Sequence, residues 1–395
     1  MKVSAIAHRQ ANESFIQDGY QRFREIFQDM YWEPSNTHAD IILFLSGGSE
    51  QDAIKLLKPG NMTLLLAAFD DNAFAAAMEV KAWADENNRP VILLPLGSKR
   101  QKTADKYPTT IQTVNNFEKA CKAFETLKGK KAGLIGQVSH WLVASDVAAN
   151  RYKQQFGVDL VHLPWKNLPS YTDMAADQAF LTFFNKHPSD KLQAEASIHS
   201  FLKQVISDHG LNAMSLECFE MVNDRDVTAC LSLAMFNSQG FPAACEGDLV
   251  SLAGLMLIQA LTGEIPWMAN VSAINHESIL FAHCTAPLNM LSEFSINTHF
   301  ETDKSAAIQG RFKADQVTIF RMNDKLNKAF IASGQVISRP ELPYACRTQT
   351  EIAMDLHYIN TLKKSPLGNH HLIIPGNHTE LLHLACQMKQ IKCLE

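Results

Sequence analysis

Three short segments set metal-ligand side chains beside strongly apolar stretches: Cys245-Glu246-Gly247-Asp248, Ala282-His283-Cys284 and Asn369-His370-His371. Glu246 falls in a turn between a strand-like run and an apolar helix, a partly buried place for a carboxylate. Burying a carboxylate is costly unless it is paired, hydrogen-bonded or metal-bound, so Glu246 is read as a functional group. Asp248 also has a structural role open to it, as an N-cap whose carboxylate accepts a free N–H of the first helical turn. His283 ends the run SILFAHC and is either a ligand or a hydrogen-bonded core residue. His370 and His371 precede the apolar run LIIP. On an extended strand they point opposite ways, so at most one of them faces a given site.

Other chemistries lack their residues. There is no GxSxG and no HExxH, so a hydrolase has no support, and His378 and His383 do not have zincin spacing. His299 and His357 show no partners in the sequence. LSGGSE (45–50) and LIGQVSHW (134–141) end apolar runs without forming a GxGxxG or a P-loop, which leaves no nucleotide fingerprint.

The elements that must position these residues change in texture along the chain. Over the first 165 residues, apolar runs at 2–8, 40–47, 61–69, 90–97, 131–137 and 158–165 alternate with amphipathic stretches, the pattern of a parallel sheet covered on both faces. Residues 170–263 are mostly helical, interrupted by a strand-like MSLECFEM (214–221). DVTACLSLAMFNSQG (226–240) reads as a helix stopped at Gly240, and PWMANVSA (266–273) and SILFAHC (278–284) as strands. After about residue 290, short alternating segments separated by turn residues predict an antiparallel β unit or small barrel.

Composition bounds the function class. The chain has 395 residues, 46% hydrophobic and 19% charged, enough for two or three folded domains. With 36 Lys+Arg against 41 Asp+Glu and no run of five basic residues, a nucleic-acid partner is disfavoured. LVSLAGLMLIQALTG (249–263) is too short to span a bilayer and predicts a buried helix, so no membrane partner is expected. The N-terminal MKVSAIAHRQANES lacks the apolar region of a secretory signal, and eight scattered cysteines without a CxxC read as reduced thiols. A cytoplasmic location is expected.

Taken together, PAACEGDLVSLAGLMLIQALTG, the HCTAP turn and the GNHH segment resemble the L-fucose isomerase / L-arabinose isomerase family over roughly residues 215–395. The resemblance implies a metal-dependent aldose–ketose isomerase working through a cis-enediol, with Mn²⁺ or another divalent cation and a small-molecule sugar as substrate. It implies an α/β fold with two parallel-sheet domains, here 1–165 (Rossmann-like) and 166–290 (carrying Glu246 and His283). A C-terminal antiparallel β-barrel-like domain follows at 291–395, carrying His370 and His371, and the expected assembly is a homo-oligomer, a trimer or hexamer. The family's first metal and acid/base glutamate falls on Glu246, its C-terminal metal histidine on His371 or His370, and the histidine of the arabinose-isomerase branch near His283.

The family's second metal carboxylate falls on Asn270, 24 residues after Glu246. An amide oxygen can ligate a cation, but it brings no charge and cannot act as a base, so weak metal binding is expected. Asp248 is the expected second catalytic group; Glu217 and Glu220 would serve if the fold brings them near. His283 and Arg311 are the expected substrate contacts, with Trp141, Trp165 and Arg321 as further candidates. Two other readings share the site: a sugar-binding relative that has lost the metal, and retro-aldol cleavage through the same intermediate.

Overall fold

The alternation at the start of the chain builds a five-stranded parallel sheet. A computed structural model describes residues 1–98, 107–187 and 191–395 and divides into two units, Met1–Cys121 and Lys122–Glu395. In the first unit, β1 (Lys2–Ile6), β2 (Glu33–Pro34), β3 (Ile41–Phe44), β4 (Thr63–Ala68) and β5 (Val91–Gly97) lie in the order β2-β1-β3-β4-β5. They alternate with α1 (Glu13–Ile26), α2 (Glu50–Leu56) and α3 (Ala73–Glu86), and α4 (Pro108–Leu127) leads out of the unit. Strands β3 and β4 are buried on both faces, which is why they read as unbroken apolar runs rather than alternating ones.

The second unit opens with a four-stranded parallel sheet in the order β7-β6-β8-β9. Its strands are β6 (Lys131–Ile135), β7 (Asp159–Leu163), β8 (Ala213–Leu216) and β9 (Ala243–Ala244), connected through α5 (Ala149–Phe156), α6 (Gln178–Phe184), α7 (Leu192–His209), α8 (Cys218–Arg225) and α9 (Cys230–Ser238). The expected strand 214–221 is corrected here: β8 stops at Leu216 and a helix begins at Cys218. Cys218, Met221 and Val222 are the buried positions, a helical spacing that the alternation of Ser, Glu and Glu with apolar residues disguised.

The apolar run 249–263 is helix α10 (Leu249–Thr262), capped by Asp248 and stopped by Gly263 at φ 82°. It packs against β8 and β9 on one side and against two barrel strands on the other. Those belong to the C-terminal half: β10 (Trp267–Ile274), β11 (Ser278–His283), β12 (Leu291–Asn297), β13 (Ala307–Phe312), β14 (Gln316–Met322), β15 (Lys328–Ser338), β16 (Thr348–Ala353), α11 (Leu356–Lys364), β17 (His370–Pro375), α12 (Thr379–Met388) and β18 (Lys392–Cys393). Strands β14-β17-β10-β11-β16-β15 close into a six-stranded antiparallel barrel through the β14–β15 pairing, while β12 and β13 form a separate ribbon. Trp267, Ala269, Ile279, Phe281, Ile319, Phe330 and Ile373 fill its interior. On its outside, Gly254 lets α10 approach β17 closely; a Cβ there would lie 2.5 Å from Leu372 Cδ1. The expected fold class, parallel-sheet α/β followed by an antiparallel barrel, is the one observed. Among the described residues no helix is long and apolar enough to cross a membrane.

Glu195 of α7 ties this core to the segment between β12 and β13. It is fully buried, and its Oε1 accepts hydrogen bonds from Thr228 Oγ1 at 2.7 Å and from Ser305 Oγ. Burial outweighs those hydrogen bonds and pushes its carboxyl up to about 8. A carboxyl raised in the folded state contributes stability that is complete below its unfolded value of about 4.3 and is lost as the pH rises to about 8. The melting temperature should therefore fall by several degrees between pH 5 and 8 relative to Glu195→Gln, which has no such proton. Parallel melting curves for the two proteins across that range would show the assignment to be wrong.

Candidate active site

The CEGD turn sits where the second parallel sheet ends, the usual place for ligands in open α/β sheets. Strand β9 delivers the chain to Cys245, and α10 begins immediately after Asp248. Between them Glu246 and Gly247 both take left-handed backbone, at φ 60° and 68°. Gly247 has no alternative residue, since a Cβ would lie 2.2 Å from the Gln137 carbonyl oxygen. Backbone bonds to the ends of the parallel strands lock the turn: Gly247 N–H donates to Leu216 O at 2.9 Å and Ser139 N–H to Glu246 O at 3.0 Å. This fixed turn aims the Glu246 side chain.

Glu246 is 8% exposed. Its Oε2 accepts from Trp141 Nε1 at 2.6 Å, and its Oε1 lies 3.5 Å from His370 Nε2 and 3.9 Å from His283 Nε2. Burial alone would raise its carboxyl; the neighbouring His370 and His283 and the hydrogen bond from Trp141 outweigh that and hold it at about 2. His370 answers in the opposite sense: burial would lower it, but Glu246 and Asp248 raise it to about 9. His283, deeply buried and facing His370, is pushed down to about 3, and its Nδ1 lies 2.9 Å from Thr285 Oγ1.

Asp248 carries the layer behind these groups and is 0% exposed. It caps α10 by accepting from Ser251 N at 2.7 Å and Ser251 Oγ at 2.9 Å. Its Oδ2 also accepts from Arg321 Nη1 at 3.0 Å and from His370 Nδ1 at 2.9 Å. Arg321 Nη2 in turn donates to Ser145 Oγ at 2.8 Å. Despite burial, the Arg321 and His370 partners hold the Asp248 carboxyl far below its ordinary range.

Strand alternation separates the two neighbouring histidines. His370 pairs with Asn270 and lies on the outward side with Leu372, where it meets Glu246 and Asp248. His371 shares the inward side with Ile373, between the rings of Phe281 and Phe330. Its Nδ1 donates to Asn369 O at 3.1 Å, and burial pushes it down to about 3. Asn270 sits opposite His370, its Oδ1 accepting from Asn369 Nδ2 at 2.7 Å and its Nδ2 3.9 Å from Cys346 Sγ.

The remaining expected residues divide. Trp141 and Arg321 belong to the cluster. Trp165 instead donates to Glu217 at 3.0 Å, Glu217 also holds Gln137 N, and Glu220 is exposed on α8. Arg311 is exposed on the β12–β13 ribbon opposite Glu293, in a cavity of about 350 Å³ that it shares with Arg339 and Arg347. Two residues outside the expected set adjoin the cluster. His299 Nε2 lies 3.1 Å from Glu301 Oε2, and the charge of Glu246 acts on both.

The donor set fits a divalent cation. His370 Nε2 is buried with no hydrogen-bond partner, and it converges with His283 Nε2 on Glu246 Oε1. His370 Nε2 and His283 Nε2 lie 3.5 and 3.9 Å from Glu246 Oε1, wider than the roughly 3 Å between neighbouring donors about 2.1 Å from a common ion, so the side chains would have to draw together to hold one. Asp248 holding the other nitrogen of His370 is the carboxylate–histidine arrangement that orients metal ligands. Cys245 Sγ, Glu246 and His283 present ligand atoms within 4.8 Å of one another and form an alternative donor set, in which Cys245 Sγ also contacts Cys218 Sγ at 3.1 Å.

No family model matches the chain. Its sequence is similar to sulfoquinovose isomerase of Clostridium sp. (strain MSTE9), with 21% identity over 343 residues, covering 80% of this chain and 74% of that protein. The similarity extends well beyond the motif-bearing segments, and the protein on its other side is a sugar isomerase.

Proposed function

We propose that the protein is a metal-dependent aldose–ketose isomerase, with a divalent cation of the Mn²⁺ type held by Glu246, His370 and His283. The observation that carries this reading is the buried Glu246 carboxylate at the end of a parallel sheet, with His370 Nε2 3.5 Å and His283 Nε2 3.9 Å from its Oε1. Similarity to a sugar isomerase supports the reaction class, and sulfoquinovose joins L-fucose and L-arabinose as a substrate to test. A carboxylate with imidazoles suits Mn²⁺ better than a thiolate site would.

A divalent cation bound there supplies Lewis-acid stabilisation of the negative charge that develops on O1 and O2 of an aldose when its C2 proton leaves. The protein's own groups prepare the place. Trp141 holds one oxygen of Glu246 so that the other is aimed at the histidines, and Asp248 fixes the ring of His370. Arg321 and Ser251 keep Asp248 ionised in turn. Asn270, on the same side as His370, offers an amide oxygen and no charge.

The test is ketose formation from sulfoquinovose, L-fucose and L-arabinose by chelator-treated protein with and without restored Mn²⁺. One of the sugars should be converted only with the metal present. Conversion at an equal rate in excess chelator would refute the metal dependence. Sugar-induced thermal stabilisation without conversion, unaffected by chelator, would favour the sugar-binding reading that rests on Asn270.

A further inference from the structure

We propose that Glu301, positioned by His299, is the group that carries the proton between C2 and C1 of the sugar. The inference rests on the isomerase reading. An aldose–ketose isomerase needs a group that takes a proton from carbon and returns it to the neighbouring carbon. Asn270 cannot do so. Asp248 is fully enclosed, with Ser251, Arg321 and His370 already donating to it. Glu246 is engaged by Trp141 and faces both histidines. A further group free to carry the proton is therefore needed, and Glu301 is brought towards the cluster from the segment between β12 and β13.

Two chains of contact place it there. On one side, Cys346 Sγ lies 3.8 Å from Glu301 Oε1 and 3.9 Å from Asn270 Nδ2, so Glu301 approaches the position that lacks a carboxylate. On the other, the ring of His299 packs on Phe219 at 5.4 Å between centroids, Phe219 on Trp141 at 4.9 Å, and Trp141 holds Glu246. His299 is pinned through its Nδ1, 3.0 Å from Thr302 Oγ1, and is buried, whereas the Glu301 side chain is 42% exposed and open to a ligand. The segment is held at both ends, by Arg347 Nη2 donating to Thr298 Oγ1 at 2.8 Å and by Ser305 donating to Glu195. Partial burial raises the Glu301 carboxyl, which favours taking up a proton.

The step balances without any co-reactant. Glu301 carboxylate takes the C2 proton, the C2–H pair becomes the C1–C2 double bond, and the C1 carbonyl pair moves to O1. The carboxylic acid then returns a proton to C1 while the proton of the O2 hydroxyl passes to the negatively charged O1, which leaves a carbonyl at C2 and a hydroxyl at C1. His299 is the positioning residue that fixes Glu301 Oε2.

The test compares the parent protein with Glu301→Gln and His299→Gln, all loaded with Mn²⁺, on whichever of sulfoquinovose, L-fucose and L-arabinose the parent converts. Glu301→Gln should lower kcat by about 10²–10⁴-fold, with KM, Mn²⁺ affinity and melting temperature close to those of the parent, and should abolish exchange of the C2 proton with solvent. His299→Gln should lower kcat less and displace the limb of the pH–rate profile that reports the base. Turnover by Glu301→Gln within threefold of the parent would overturn the inference and leave the isomerase reading standing. A parent that neither converts nor exchanges any of the sugars would overturn both.

Discussion

Glu246→Gln is expected to lower ketose formation about a thousandfold or more. Its Oε1 is the one negatively charged atom among the three converging donors. Stabilisation of charge by a cation contributes several kcal/mol at the transition state, and each tenfold in rate corresponds to about 1.4 kcal/mol. The amide keeps the shape of the side chain, and its oxygen can still accept from Trp141 Nε1, but the buried pairing with His370 is lost, so the metal-free variant should melt several degrees below the parent at neutral pH. Calorimetric titration with Mn²⁺ should show affinity reduced at least tenfold, measured at a temperature where both proteins are folded. Parent-like turnover in this variant would remove Glu246 from the chemistry.

Asp248→Ala should produce the largest loss of stability of any single change at the site, about 3–5 kcal/mol, because it leaves the buried Arg321 guanidinium without its countercharge. The helix cap is lost at the same time, worth about 1 kcal/mol. Denaturant titration measures the sum. Removing the stranded charge as well, in Asp248→Ala/Arg321→Met, should recover part of it, since the cost lies in the unpaired charge rather than in the missing bond. Metal affinity should stay about 10–100-fold low in the double variant, because His370 Nδ1 has still lost the partner that orients it. Full additivity of the two single changes would mean that Asp248 and Arg321 do not act as a pair.

Much of this site is legible in the sequence because its residues announce themselves locally. Asp248 precedes an unbroken apolar helix, and Glu246 has no helical or surface role to explain it. The adjacent histidines must split between two strand faces, and they do. Which of them turns toward Glu246 depends on which face of β17 lines the barrel, and that follows from pairing with β10 and β14, strands distant in sequence. Periodicity carries no information about such partners. Arg321 shows the same limit: its position is evident, but its direction is set by the first turn of α10. Glu301 and His299 are hidden for another reason. They belong to a polar connection between two ribbon strands, where the only local signal is an imidazole two residues from a carboxylate. That signal gains meaning only when Phe219 and Cys346 bring the connection against Trp141 and Asn270.

The most direct measurement is the position of deuterium in ketose made by the Mn²⁺-loaded protein in D₂O, read by proton NMR on the sugar that it converts. Proton transfer through an enediol, by a carboxyl open to solvent, places deuterium at C1 of the ketose and washes the C2 proton out of the recovered aldose. A ketose formed without deuterium at C1, together with recovered aldose that keeps its C2 proton, would contradict proton transfer through a carboxyl open to solvent.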